Sequence, residues 1–160
     1  MPPSKVLLVP IEIVKVADGD SFSAVVNGIP TACRLFGVDA PEMDQPFGRQ
    51  AKAELALLAL GKTLQGRIIT IDCYYRLVVD VWAFSTIRLG ILMLRAGMAW
   101  HTPRWSPDRL AFTHAQHAAR MARKGLWIDP DPVPPWTWRR LQGYRTMHQH
   151  TSRRSRVKRP

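Results

Sequence analysis

The sequence predicts a mainly β fold of the α+β class: a five-stranded Greek-key barrel capped by three helices. Three observations lead there. Five short β-prone runs recur along the first half of the chain. An Asn27-Gly28 pair joins two of them in a tight hairpin. Helical segments are inserted after the third and the fifth run. Strands in a meander, a crossing helix and further strands suit the small barrel known as the OB fold.

Residues 11–17 read as the first strand, followed by a turn at Asp18-Gly19. "SFSAVV-NG-IPTACRLFGV" is the hairpin, because Asn27-Gly28 supplies positive φ between two apolar runs. With that turn, residues whose numbers sum to 54 or 55 lie opposite one another, so Asp20 faces Arg34 or Leu35. "FGRQAKAELALLALG" is helical, with Ala51, Leu55 and Leu58 on one face and Gly61 as terminator. "LQGRIITIDCYY" and "RLVVDVWAF" are two more strands. "STIRLGILMLRAG" predicts a short buried helix capped by Ser85 or Thr86 and ended by Gly97. The helix in "SPDRLAFTHAQHAARMARKG" carries its own signals: Ser106 as cap, Pro107 at the first turn, Asp108 beside it, and basic residues at the far end.

The chain has 160 residues, 46% of them hydrophobic, and a net charge of +11. That is one domain with an adequate core. The eight Lys or Arg between Arg139 and Pro160 meet no acid, so +8 of the +11 lies there. The division expected is a domain over 1–138 and a basic, disordered tail over 139–160. Such charge points to a polyanion, with nucleic acid ahead of an anionic membrane. No run approaches the ~18 apolar residues of a membrane span. "MPPSKVLLVPIEIVKV" is broken by Pro10 and Glu12 and reads as a strand rather than a leader, which makes the cytoplasm the expected location. A barrel this small is expected to be a monomer. Cys33 and Cys73 have no metal-site spacing and are expected as small buried hydrophobes.

The charged residues inside the barrel motifs carry the chemistry. Asp20 and Arg34 fall at one level of neighbouring strands. Asp39 follows where the second strand exits, and Pro41 stiffens "DAPE" so that Asp39 and Glu42 are held at one end of the barrel. A buried unpaired carboxylate costs several kcal/mol, roughly. One reading is a salt bridge with a turn cap at Asp18. The other is a site for a hard cation ligated by oxygens of Asp20, Asp39 and one backbone carbonyl, without His or Cys. Such an ion neutralises a phosphate oxygen and positions water.

"VADGDSF", "RLFGVDAPE", "QPFG", "DCYYR", "LRAGMAW", "RKGLW" and "PPWTW" follow one another as in the staphylococcal nuclease family, which the chain resembles over about residues 11–138. The resemblance implies calcium, ahead of magnesium, on Asp20, Asp39 and the Ala40 carbonyl. It implies Glu42 as the acid that positions or deprotonates the attacking water, and Arg34 and Arg76 as the guanidiniums on the scissile phosphate. The implied activity is calcium-dependent hydrolysis of DNA and/or RNA phosphodiesters, as an endonuclease leaving 3′-phosphate ends. The rival expectation is a catalytically inactive OB-fold module that only binds nucleic acid.

Tyr74 shares the face of Arg76 and is a candidate to contact a nucleotide. Trp105 and Trp100 flank the loop where the family meets substrate, and Trp105 is the second candidate. Trp127, Trp136 and Trp138 read as packing residues that strap down the chain's end. His114 and His117 share a helix face but lack a third ligand. Two departures from the family stand out. Tyr75 replaces its usual glycine before Arg76, and "AFSTIRLG" lacks its Asp-Gly turn.

Overall fold

The computed structural model describes residues 7–84, 86–103 and 109–143. Strands β1 (Val9–Val16), β2 (Ser21–Val26) and β3 (Ile29–Leu35) form an antiparallel meander. After β4 (Val38–Asp39) and helix α1 (Gly48–Ala59), β5 (Thr63–Ile71) returns to the free edge of β1, and β6 (Leu77–Ala83) pairs with β5. The barrel closes where β6 runs parallel to β3, with Arg34 opposite Val78. These five strands are the expected barrel. A two-residue β7 (Ile87–Arg88) extends the sheet at β6, and β4 pairs with β8 (Trp100–His101) in a separate ribbon.

The hairpin register follows its turn. Asn27 and Gly28 both have positive φ, and Ser21 pairs with Arg34, so the numbers sum to 55 and Asp20 stands level with Leu35. The Leu35 N–H donates to the Asp20 carbonyl at 2.7 Å. Burial alternates along β1, where Ile11 and Ile13 point inward between exposed Glu12 and Val14. Val79 and Val81 of β6 meet them in the core.

Helix α1 buries Ala51, Leu55 and Ala59 against this core, with Leu58 half-buried at its edge. Helix α2 (Leu89–Arg95) starts later than expected. Its cap is extended Arg88 with no side-chain capping bond; Thr86 lies in the preceding turn and Ser85 lies outside the described residues. The turn that lacks Asp-Gly is made by exposed Phe84 at φ 51°. Gly97 ends α2 at positive φ. Helix α3 (Arg109–Met121) packs Phe112 edge-on to Phe36 at 6.4 Å. Its expected cap, Ser106 with Pro107 and Asp108, lies outside the described residues.

A fourth helix, α4, covers 135–143 and runs across the boundary expected at residue 138. It follows a 3-10 turn, Gly125–Ile128. The tail expected beyond it lies outside the described residues from 144 onward. Trp136 and Trp127 both pack on Trp100, at centroid distances of 5.7 and 4.4 Å, which is the strap role expected of them. The two cysteines differ: Cys33 is buried, and burial pushes its thiol up to about 11, whereas Cys73 is exposed in the β5–β6 turn. That turn faces solvent, so no core forms around the second thiol. No described helix is long and apolar enough to cross a membrane.

Tyr75 occupies the left-handed region at φ 61° and is 90% exposed. A non-glycine residue there costs about 1 kcal/mol, with no packing to offset it. Tyr75→Gly is therefore expected to raise the unfolding free energy by about 0.5–1 kcal/mol. Urea denaturation checks this, and an unchanged or lower midpoint would show that Tyr75 makes a compensating contact.

Candidate active site

The site forms where the β1–β2 turn, the end of β3, the "DAPE" exit and the β5–β6 turn meet. Asp18 shapes the first of these. Its Oδ1 accepts from the N–H groups of Asp20 and Ser21, at 3.0 and 2.7 Å, which is the turn-capping role of the bland reading. Gly19 is required next to it. A Cβ there would sit 2.6 Å from the Cβ atoms of both Ala40 and Ala51. Only a bare Cα lets the turn close on "DAPE" and on α1.

Asp20 is 5% exposed and Asp39 is 4% exposed. Asp20 Oδ2 accepts from the Ala40 N–H at 2.8 Å, and Oδ1 accepts from the Ser21 hydroxyl at 2.8 Å. The Arg34 guanidinium lies between the two acids, 3.0 Å from Asp39 Oδ1 and 3.6 Å from Asp20 Oδ2. Burial dominates Asp20 and pushes its carboxyl up to about 7; Arg34 pulls it down, while Asp18 and Asp39 add to the rise. The pair of acids is thus under-neutralised by Arg34 alone.

Arg76 enters from the opposite wall. Asp72 aims it: Oδ1 accepts from the Arg76 N–H at 3.0 Å and Oδ2 from Nε at 2.8 Å. Partial burial would raise the Asp72 carboxyl, but the bonds from Arg76 and Tyr74 hold it below the usual carboxylate range. Arg76 Nη1 donates to Ser21 Oγ at 3.0 Å, and the guanidinium lies 5.5 Å from the Tyr74 ring centre. Tyr75 therefore does not turn Arg76 away from the cleft. Ser21 joins the two halves, donating to Asp20 and accepting from Arg76.

Glu42 stands at the mouth. Its N–H donates to Gln45 Oε1 at 3.1 Å, and Gln45 Nε2 donates to the Val133 carbonyl at 2.6 Å. Gly48 has to be glycine for α1 to start here, because a Cβ would overlap the Glu42 carbonyl. A cleft of about 440 Å³ lies among Asp20, Arg34, Asp39, Glu42, Arg76 and Arg139. It opens into a groove of about 760 Å³ whose walls include Ile69, Ile71, Val78 and Trp136, and which shares Arg34, Tyr74 and Arg76 with it.

Every expected site residue except one thus borders the same cleft: Asp20, Arg34, Asp39, Ala40, Glu42, Tyr74 and Arg76. Trp105 lies outside the described residues. Trp100 packs with Trp127 and Trp136. His114 and His117 are exposed on α3. Three participants had escaped sequence reasoning: Ser21, Asp72 and Arg139. The Asp72 signal was present, an Asx residue four before an arginine in a strand-linking turn.

Among the described residues no group of three or more His, Cys, Asp or Glu side chains is arranged to hold a metal ion. The donor chemistry fits a hard cation nonetheless. Two buried carboxylates converge with the Ala40 backbone, and the Arg139 guanidinium already sits on Asp39 as a cation stand-in, 2.8 Å from Oδ2.

The family model for "Staphylococcal nuclease homologue" matches residues 32–129. The chain belongs to the staphylococcal nuclease family. It is 35% identical over 127 residues to an uncharacterized endonuclease of Escherichia coli O157:H7, covering 79% of this chain and 82% of that one. It is 33% identical over 138 residues to a micrococcal nuclease of Shigella flexneri, covering 81% and 79%. A staphylococcal-like nuclease of Arabidopsis thaliana shares 36% over 107 residues, 67% of this chain and 32% of that one.

The Asp20 environment has a measurable consequence. A folded-state carboxyl near 7 against an ordinary value of 3.8 favours folding below pH ~4, and this contribution is lost as pH rises through about 7. In chelator, the wild type is expected to lose melting temperature across that window relative to Asp20→Asn. At pH 8 the variant should melt a few degrees higher. A variant that melts lower at pH 8 would mean that Arg34 and its neighbours fully compensate the Asp20 charge.

Proposed function

We propose that the protein is a calcium-dependent nuclease that hydrolyses phosphodiester bonds of DNA or RNA. The observation that carries the reading is the convergence of two buried acids, two aimed arginines and Glu42 on one cleft. Family membership and the nuclease names of the relatives support it.

Asp20, Asp39 and the Ala40 carbonyl would hold the ion. Bound there, it supplies positive charge to a phosphoryl oxygen and draws water to the site. The remaining work belongs to the chain. Glu42 at the cleft mouth accepts a proton from water as the new O–P bond forms, while the P–O bond to the departing nucleoside oxygen breaks and that oxygen takes a proton from solvent. Arg34 and Arg76 donate N–H bonds to the non-bridging oxygens, where negative charge grows in the transition state. Arg76 is held for this by Asp72 and Ser21, so little ordering remains to be done on binding. The adjoining groove offers apolar walls and the Tyr74 ring to a nucleoside.

The rival module without catalysis would need a misplaced Arg76. Its bonds to Asp72 and Ser21 argue against that. The deciding assay uses labelled single-stranded DNA and RNA with calcium, with magnesium and with chelator. Calcium-dependent cutting is expected. Glu42→Gln and Arg76→Lys should each reduce kcat by about 10²–10³, since lysine loses the fork that grips a phosphate. Binding without cleavage under all three conditions would instead support the inactive module.

A further inference from the structure

The Arg139 side chain is bound at the acids rather than facing solvent as part of a basic arm. Nη1 donates to Glu42 Oε1 at 2.6 Å and to Asp39 Oδ1 at 3.2 Å, and Nη2 donates to Asp39 Oδ2 at 2.8 Å. Both Asp39 oxygens therefore carry guanidinium donors, one of them shared with Arg34. The hydrogen bonds to Asp39 are the main force holding the Arg139 proton more tightly than usual, and those to Glu42 add to it.

The contact is anchored from outside the site. Trp138 Nε1 and Gln142 Nε2 both donate to Asp44, at 3.2 and 3.5 Å, and Trp136 packs on Trp100. Gln45 reaches the Val133 carbonyl just before α4. These contacts fix α4 so that its one inward arginine meets the two acids nearest the mouth. The side chain is still 45% exposed, so it has room to swing into solvent without unfolding the helix.

We propose that Arg139 is a latch: a tethered cation that neutralises Asp39 and Glu42 in the metal-free protein and is displaced when calcium binds. The proposal rests on the calcium-site reading above. The reason is competition for the same oxygens. A guanidinium across Asp39 and a divalent cation on Asp39 repel each other at such range. Displacement also frees Glu42, which in the latched state has its Oε1 committed to Arg139. Calcium binding and release of the general base are then one event. The latch keeps the acid pair from destabilising the metal-free fold, at a cost in calcium affinity.

A purely structural ion pair makes the opposite prediction. Losing it would loosen the site and weaken calcium binding. The test is calcium calorimetry on the full-length wild type, Arg139→Gln and Asp44→Asn, with melts in chelator and Asp39→Asn as the non-binding control. Arg139→Gln is expected to bind calcium about tenfold tighter, the scale of one charge-assisted contact, while melting lower in chelator. Asp44→Asn, which touches only the anchor of α4, should tighten binding by a smaller factor. Calcium binding by Arg139→Gln alone, with none in wild type, would also support the latch. Equal or weaker calcium affinity in Arg139→Gln than in a binding wild type would overturn it and leave the calcium site standing. Absence of calcium binding in both proteins would overturn the calcium site itself, and the latch with it.

Discussion

The site depends on two carboxylates, Asp20 and Asp39, buried side by side. Like charges in a desolvated place repel, and neither can reach water for relief. Everything around them answers that repulsion. Arg34 lies between them, Ser21 and the Ala40 N–H satisfy Asp20, and Arg139 covers Asp39. Core packing alone would never select this arrangement, since apolar residues of similar size would be as stable or more so. The acids make sense under the proposed reading, in which a cation of higher charge would join them.

The barrel supplies the precision that such a cluster requires. The Asn27-Gly28 turn sets the β2–β3 register, and a slip of one residue would send Arg34 to the other face. Closure of β3 onto β6 then sets the distance between the two arginines, because Arg34 is level with Val78, two residues past Arg76. The Ser21 hydroxyl ties both walls across this seam. Strand β3 carries Arg34, the turns that lead into β2 and β6 hold Asp20 and Arg76, and the "DAPE" exit and α4 bring in Asp39, Glu42 and Arg139.

Much of this was legible in the sequence, and physics explains which parts. The hairpin, the acid–arginine level and the helix face of α1 follow from short-range rules of turn conformation and side-chain period. Asp20, Arg34, Asp39 and Glu42 fall within 23 residues, so one turn and one proline suffice to bring them together. Three things lay beyond that reach. The cap of α2 is Arg88 rather than Ser85 or Thr86, because Ile87 and Arg88 stay extended as β7 before the helix begins. Cys73 was expected inside because β-prone neighbours surround it, yet its turn projects from the barrel. Arg139 was counted with a solvated basic run, since charge density hid the Trp136 and Trp138 contacts that fold it back by 97 residues onto Glu42.

That last point alters how the chain's charge should be understood. Net charge is a long-range, screened quantity and describes encounter with a polyanion. A single guanidinium at 2.6–3.2 Å from two acids is a short-range, half-solvated interaction, and it acts on the site's own acids rather than on a phosphate. Arg139 therefore cannot be summed with Arg140 and the residues beyond it. The same residue type, one position apart, separates into two physical roles because α4 turns one side chain inward. Salt should weaken a long-range attraction between net charge and a polyanion far more than it weakens Arg139's hold on Asp39.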